Sequence, residues 1–382
     1  MFAAVGWSGQ SNAFTAGQTA ATVALRRLGN RPPRGAIVLG SSWFDQRPLL
    51  DGVRSMLGRV PLAGGSTAGE ITAEGPQSHS CGVLLLGDED ITVGVGVGTD
   101  VERDPRLAGF RAAQEAAHQV NGQMRRGALF FGDGLITSYG AVVRGMQEVL
   151  GTGSLVIGAL MGDDLRFLKT YQYSRSAVMS EAVVAVLLGG EIAIGVGLQH
   201  GFAPISKPWR ITKAENHVLY ELEGRPAAAV YEDYFGAELL HRIRPVGLSR
   251  QVLAYPLGMQ QHVDGPFLLR NIMTFGHDGS LVCTGEVTEG AAVHLMISSR
   301  VQALEAASLA AQEAVKPLTT VAAVLVCDSV ARKRLLGHDA AEAIGRIRQV
   351  VGSSVPLIGC YTYGEQGSVL HTGAILVIAV GQ

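Results

Sequence analysis

One ten-residue pattern occurs near both ends of the chain. Pro61-Leu62-Ala63-Gly64-Gly65-Ser66-Thr67-Ala68-Gly69-Glu70 and Pro356-Leu357-Ile358-Gly359-Cys360-Tyr361-Thr362-Tyr363-Gly364-Glu365 both read P-L-x-G-x-x-T-x-G-E. A weaker copy, Leu155 to Asp164, keeps the first glycine and places the acid of Asp164 where Glu70 and Glu365 stand. The surroundings recur as well. An apolar strand is predicted upstream of each copy, at 35–39, 127–131 and 321–327, ending beside Ser41-Ser42, Asp133-Gly134 and Asp328-Ser329. A stretch with apolar residues spaced by three and four follows, at 47–57, 138–150 and 339–351, and reads as helix. A second apolar strand closes each unit, at 82–86, 182–188 and 374–380, and an Ala-rich amphipathic helix precedes it, at 16–28, 107–120 and 301–314. The repeated unit is therefore α-β-α-β-β, with a further strand such as 91–98 or 191–198. Three such units predict an α/β chain of mixed sheets flanked by helices. A period of about a hundred residues is too long for a solenoid repeat.

A chain of 382 residues predicts two domains. The pattern changes between Gly201 and Val293, where prolines 204, 208, 226, 245, 256 and 266 punctuate it. A helical run at 227–235 and strands near 268–275 and 281–286 are expected there, with His277-Asp278-Gly279 as the hairpin turn. The boundary is placed near Tyr220. This gives a first domain of residues 1–220 with two units and a second of 221–382 with the third unit and inserted strands.

Basic and acidic residues number 31 and 33, a balance without the electrostatic footprint of a nucleic-acid or anionic-membrane binder. The longest apolar stretch, Ala182 to Leu198, is broken by Glu191 and several glycines and reads as two strands around a turn rather than a membrane span. The opening residues lack the n-region, h-region and cleavage site of a secretory signal. Cys81, Cys283, Cys327 and Cys360 form no C-x-x-C pair and read as reduced, packed thiols. A cytoplasmic location is expected.

The motifs resemble the FIST family of intracellular signal-transduction sensor domains. Gly64-Gly65-Ser66-Thr67-Ala68-Gly69-Glu70-Ile71 is similar to the family's G-C-S-T-A-G-E-I, with Gly65 in place of the usual cysteine. Gly162-Asp163-Asp164 with His200-Gly201-Phe202 follows. Then come Glu221 to Ala227 with Tyr231, Tyr255-Pro256-Leu257-Gly258 with Arg270, and Gly359 to Glu365 with His371. The resemblance implies a FIST N and a FIST C domain and a sensory role for a small molecule, amino acids being the suggested class. It also implies output through a separate partner such as a histidine kinase. Some relatives look like haem-binding nitric-oxide sensors, so haem is the alternative cofactor reading. No F-box and no output segment of its own is recognised.

Candidate ligand residues are Ser66, Thr67 and Glu70 with their counterparts Tyr361, Thr362 and Glu365, whose hydroxyls and carboxylates flank glycines at strand ends. The competing reading is that they build a turn. Asp133, Asp163 and Asp164 in the middle unit suit a ligand ammonium or a helix cap. Arg270 suits a ligand carboxylate or an internal ion pair. His241, His262, His277, His294, a tyrosine and Met259 are the candidate haem ligands, and His79 and His371 occupy matching places in two units. A catalytic reading has less support. Gly64 to Ala68 lacks the final glycine of G-x-S-x-G, and Gly94-Val95-Gly96-Val97-Gly98 lacks the helix and Lys of a phosphate loop. Cys327 and Cys360 are the thiols at strand ends, and an enzyme acting on a small metabolite is the remaining alternative. The chain is expected to be a binding protein and not an enzyme, with no metal.

Overall fold

The computed structural model describes residues 1–382 except 89, 121–124, 137, 239–253, 261–265 and 368. It contains three six-stranded sheets of one design and a nine-stranded sheet. Each six-stranded sheet begins with the same four strands in the same order. In the first these are Phe2–Ser8, Cys81–Gly87, Gly35–Ser41 and Leu62–Thr67. In the second they are Ile91–Thr99, Ala182–Gly190, Arg125–Gly132 and Val156–Leu160. In the third they are Ala193–Gln199, Ile375–Gly381, Val321–Ser329 and Leu357–Thr362. The last two strands of each quartet are parallel and the others antiparallel, which makes the sheets mixed as the repeat predicts.

The remaining two places in each sheet are filled by a hairpin from another unit. The first sheet takes Gln172–Ser174 and Ala177–Met179 from the second unit. The second takes Gly364–Gln366 and Leu370–His371 from the third, and the third takes Glu70–Thr72 and Gly75–Gln77 from the first. This cyclic exchange ties the three units together. Their inner faces share one apolar core that includes Leu39, Phe131, Ile157, Leu325 and Ile358. Arg54 and Arg348 hold two of the exchanged hairpins at matching places. The first donates to the Arg175 carbonyl and the second to that of Ala73 at 3.0 Å.

Two expectations about pairing are corrected. The strands within Ala182 to Leu198 both form, but they do not pair with each other: Ala182–Gly190 pairs within the second sheet and Ala193–Gln199 within the third. Likewise the strand after each unit opens the next sheet, and Phe2–Ser8, which the pattern missed, is its counterpart at the start. Runs buried on both faces carry no alternation that would record a partner.

The outer faces are covered by the Ala-rich helices Ala13–Leu28, Pro105–Gln119 and Arg300–Val315, capped by Asn12, Asp104 and Ser299. Alanine lets the helix backbone come down onto the edge strand. A Cβ on Gly94, Gly96 or Gly98 would lie 2.2, 2.1 or 1.9 Å from the carbonyls of Ala116, Ala112 and Ala108. The Gly-Val alternation is thus a device for close helix packing, and no phosphate loop is present at 94–98.

Residues Ala203 to Ile297 supply all nine strands of the remaining sheet, with the short helix Ala229–Phe235 packed on it. The sheets therefore divide the chain differently from a cut at Tyr220. The third unit joins the first two, because the exchange of hairpins needs three participants, and residues 203–297 form an appended domain between the second and third units. It docks on the third unit, where Arg270 donates to the Leu370 carbonyl at 3.0 Å and Asn271 to that of Thr372 at 2.5 Å. Among the described residues no helix is long and apolar enough to cross a membrane.

Candidate functional site

The two full motifs build the same buried turn. In the first, Glu70 is 1% exposed and accepts from the Ser80 hydroxyl at 2.6 Å and the Ser80 N–H at 3.3 Å, with the Thr67 hydroxyl on its other oxygen. In the third unit Glu365 is fully buried and accepts from the N–H groups of Gly373 and Ala374 at 3.3 and 3.1 Å, with Thr362 Oγ1 2.6 Å from its other oxygen. Burial pushes Glu70 up to about 7 and Glu365 up to about 8, against hydrogen bonds that favour the charge. The carboxyls bond within their own turns, and the turn reading accounts for every partner described.

Ser66 is part of the same framework. Its hydroxyl donates to the Gly162 carbonyl at 2.8 Å and accepts from the Tyr171 N–H at 2.9 Å, which joins the first unit to the second. A Cβ on Gly65 would fall 2.4 Å from the Tyr171 carbonyl, so the exchanged hairpin leaves no space for the cysteine of the family pattern. Tyr361 is buried, and its ring lies under the ammonium of Lys333 with Nζ 4.4 Å from the ring centre.

The middle unit departs from the sequence alignment. Asp164 does not occupy the place of the two glutamates. That place belongs to Gln172, which pairs opposite Gly65 as Glu365 does opposite Ala159 and Glu70 opposite Cys360. Gln172 accepts from the Ala182 N–H at 3.3 Å and donates to the Thr170 hydroxyl at 3.1 Å. Longer intervening chain displaced it from the motif spacing, so only a Thr-x-Gln pair preceding a strand could have signalled it.

The extra chain forms a loop over 163–169, and Asp163 organises it. One carboxylate accepts the N–H groups of Phe167, Leu168 and Lys169 at 2.9, 2.7 and 2.9 Å, while the Tyr363 hydroxyl donates to it. Asp133 has a comparable role: it accepts from Leu135 N–H, Glu181 N–H and the Thr170 hydroxyl at 3.0, 2.9 and 2.8 Å. Both aspartates are buried and act as turn and loop anchors.

Asp164 differs from these. It is exposed, has φ 56°, and accepts from the Ser42 hydroxyl at 2.8 Å and the Ser41 hydroxyl at 3.4 Å. Lys333, on the helix Val330–Leu336, feels its charge. Lys333 is half-buried, donates to the Ala68 carbonyl at 2.8 Å, and sits where a Cβ on Gly69 would meet Nζ at 2.5 Å. Burial lowers its pKa, and Asp164 and Glu70 oppose that shift. Ser42 of the first unit, Asp164 of the second and Lys333 of the third therefore meet at one polar mouth at the strand ends. Trp43 stands at its edge, half exposed and stacked on His79 with ring centres 4.9 Å apart. Ser42 carries only the strand-end signal of Ser41-Ser42 in the sequence, and Lys333 carries none, since a basic residue in a short helix is ordinary.

The remaining candidates lie apart from the mouth. Arg270 is buried, burial lowers its pKa, and its guanidinium donates to the carbonyls of Glu286, Leu269 and Leu370 at 2.8, 3.0 and 3.0 Å. No ion pair engages it among the described residues, and it fastens the appended domain. His371 is buried in the third unit, unlike His79, which is exposed; it stacks on His200 with centres 6.4 Å apart, and burial depresses the two to about 3 and about 4. Of the haem-ligand candidates, His241 and His262 lie outside the described residues. Met259 is packed in the appended domain's core, and His294 Nδ1 lies 3.2 Å from the Ser206 carbonyl. The four cysteines are free and buried, and burial holds Cys81 well above the usual thiol range. No group of three metal-ligating side chains occurs among the described residues.

An uncharacterised protein of Mycobacterium tuberculosis H37Rv is 26% identical over 242 residues, 58% of this chain and 58% of that protein. An uncharacterised protein of Methanocaldococcus jannaschii is 26% identical over 152 residues, 37% of this chain and 29% of that one. The matches thus span between 29% and 58% of these relatives' length. Among solved structures, cyanuric acid hydrolase from A. caulinodans aligns over 100% of this chain and 99% of its own at 11% identity and a TM-score of 0.42. The family model of the FIST N domain matches residues 35–225 and that of the FIST C domain residues 227–368. FIST domains are associated with signal-transduction sensing of small ligands. Two adjoining matches that run from residue 35 to residue 368 identify the chain as a member of the FIST family.

Proposed function

We propose that the protein is a cytoplasmic sensor of a small zwitterionic metabolite, an amino acid being the class that fits, and that it passes its state to a separate signalling protein such as a histidine kinase. The observation that carries this reading is the mouth at which Asp164 and Lys333, of opposite charge and from different units, stand beside Ser42. A ligand ammonium would lie against the Asp164 carboxylate and its carboxylate against the Lys333 ammonium, with the Ser42 hydroxyl and the Trp43 ring beside them. A ligand bridging two units favours one arrangement of those units over others, which is how binding becomes a signal. The protein acts by binding and not by turnover in this reading.

The test is thermal unfolding of the full chain against a panel of amino acids. A ligand at about 100 times its dissociation constant stabilises by about 2.7 kcal/mol. One chemical subclass is expected to raise the midpoint selectively, and the shift to be lost in Lys333→Met and in Asp164→Asn. Unchanged shifts in both variants, or no shift from any amino acid, would overturn the reading.

A further inference from the structure

The turn of the hairpin that the second unit lends to the first opens on a cleft of about 460 Å³. That volume falls within the range of small-molecule sites, about 300–1,000 Å³. Three of its wall residues are arginines: Arg54 and Arg59 of the first unit, and Arg175 at the turn between Gln172–Ser174 and Ala177–Met179. The rest of the described wall is neutral and includes Pro61, Val95 and Ser176.

One guanidinium ties the three arginines together. Arg54, half-buried on the helix Gln46–Leu57, donates through Nε to the Arg175 carbonyl. Its Nη1 donates to the carbonyls of Gly58 at 3.0 Å and Val60 at 2.6 Å, the residues on either side of Arg59. The backbone at Arg175 and on both sides of Arg59 is thus fixed at the Arg54 guanidinium. The N–H groups of Arg54 Nη2 have no partner among the described residues. Arg59 and Arg175 are exposed, so solvent and solutes reach their side chains.

The positive charge here is only partly compensated. Arg175 Nη2 lies 2.8 Å from Glu115 Oε1, and the other Glu115 oxygen accepts the Val97 N–H at 2.9 Å. The Arg59 side chain makes no hydrogen bond or ion pair among the described residues, and Arg54 meets only carbonyls. Carbonyls near a helix end carry partial charge and do not neutralise a guanidinium. Burial, and then the Arg175 charge, lower the Arg54 pKa, as expected of two cations held close. Three arginines against one carboxylate leave an excess of two positive charges.

We infer that this cleft binds a phosphate dianion, either free or as the head of a small phosphorylated metabolite. A phosphate monoester carries about −1.5 to −2 charge at pH 7, which matches the excess. Guanidinium forks pair with phosphate oxygens in bidentate fashion. The space beyond the phosphate, beside Pro61, Val95 and Ser176, is open to an organic part. An occupant joins Arg59 to Arg175 and so fastens the second unit's hairpin to the first unit.

The experiment is isothermal titration calorimetry of the full chain, at constant ionic strength, with ribose 5-phosphate, inorganic phosphate and ribose. Saturable binding of at least one phosphate compound is expected, and none of ribose. Tighter binding of ribose 5-phosphate than of inorganic phosphate identifies a phosphorylated metabolite as the source, and equal or weaker binding identifies free phosphate. Arg59→Gln and Arg175→Gln, both at exposed positions, are each expected to weaken binding at least about tenfold, or about 1.4 kcal/mol. Arg300→Gln, at an exposed arginine of the third unit, is expected to leave it unchanged. Absence of saturable phosphate binding, ribose binding as tight as that of ribose 5-phosphate, unchanged affinity in either Arg59→Gln or Arg175→Gln, or an equal loss in Arg300→Gln would each overturn the inference. None of these outcomes depends on Asp164 or Lys333.

Discussion

Gln172 and Glu365 hold the same position in two units, each in the first strand of an exchanged hairpin and opposite the fourth residue of the neighbouring motif strand. An amide does in the second unit what a carboxyl does in the third. Gln172 accepts from the last strand's backbone through one atom and donates to a threonine hydroxyl through the other. Glu365 matches this arrangement when it is protonated. The Thr362 hydroxyl also lies 3.2 Å from the Asp328 carbonyl, and its single hydrogen cannot serve both. With the proton on Glu365, the carboxyl donates to Thr362 and Thr362 donates to Asp328.

A pH dependence follows. Glu365 is held near 8 and Glu70 near 7 when folded, against ordinary values of 4.5. Between those limits the folded chain keeps protons that the unfolded chain has released, so stability falls as pH rises through the window. His200 and His371 work oppositely, but only below their ordinary value of 6.5. Urea unfolding should therefore show stability falling from pH 6.5 to 8. Glu365→Gln should remove part of that slope and cost less than about 1 kcal/mol at the lower pH. A wild-type slope of opposite sign would refute the protonated assignment.

Asp163→Ala removes the acceptor of three backbone N–H groups and of Tyr363. Each donor left buried costs about 1–3 kcal/mol, reduced where solvent reaches the loop. A loss of about 2–4 kcal/mol is expected by chemical denaturation. Asp164→Asn, one residue on and exposed, should change stability by less than about 0.5 kcal/mol.

Asp328 and Arg332 form an ion pair of 2.7 Å with both side chains buried. Burial raises the Asp328 pKa, and Arg332 opposes that shift. Asp328→Ala strands the guanidinium in the core and should destabilise by about 3–5 kcal/mol. The double variant Asp328→Leu with Arg332→Met should recover part of the loss in the same unfolding measurement, because no charge is left unpaired.

Arg54 and Arg348 fasten exchanged hairpins through carbonyls of residues 175 and 73. Arg348→Ala should raise amide exchange within Glu70–Thr72 and Gly75–Gln77 and leave Gln172–Ser174 protected, whereas Arg54→Ala should do the reverse. Uniform change across both hairpins would show that the arginines are not local staples.

The repeated motif, the Ala-rich helices and the strand at each motif were legible because each rests on local physics. Glycine spacing, helical periodicity and apolar runs of strand length depend on neighbours in the chain. The Glu70 and Glu365 turns were legible for the same reason, as the Thr and Glu that bond each other lie three residues apart. Pairing was not local. The hairpins at Glu70, Gln172 and Gly364 each leave their own sheet, and Ile91–Thr99 and Ala193–Gln199 each open the next. No residue pattern records such an exchange, because a strand buried on both faces presents similar apolar surface to any partner. The site followed the pairing. Asp133 and Asp163 became loop anchors once backbone N–H groups converged on them, and Arg270 became a clasp once Leu370 came beside it. Ser42, Asp164 and Lys333 belong to three units and meet only because the exchange of hairpins brings those units' strand ends together.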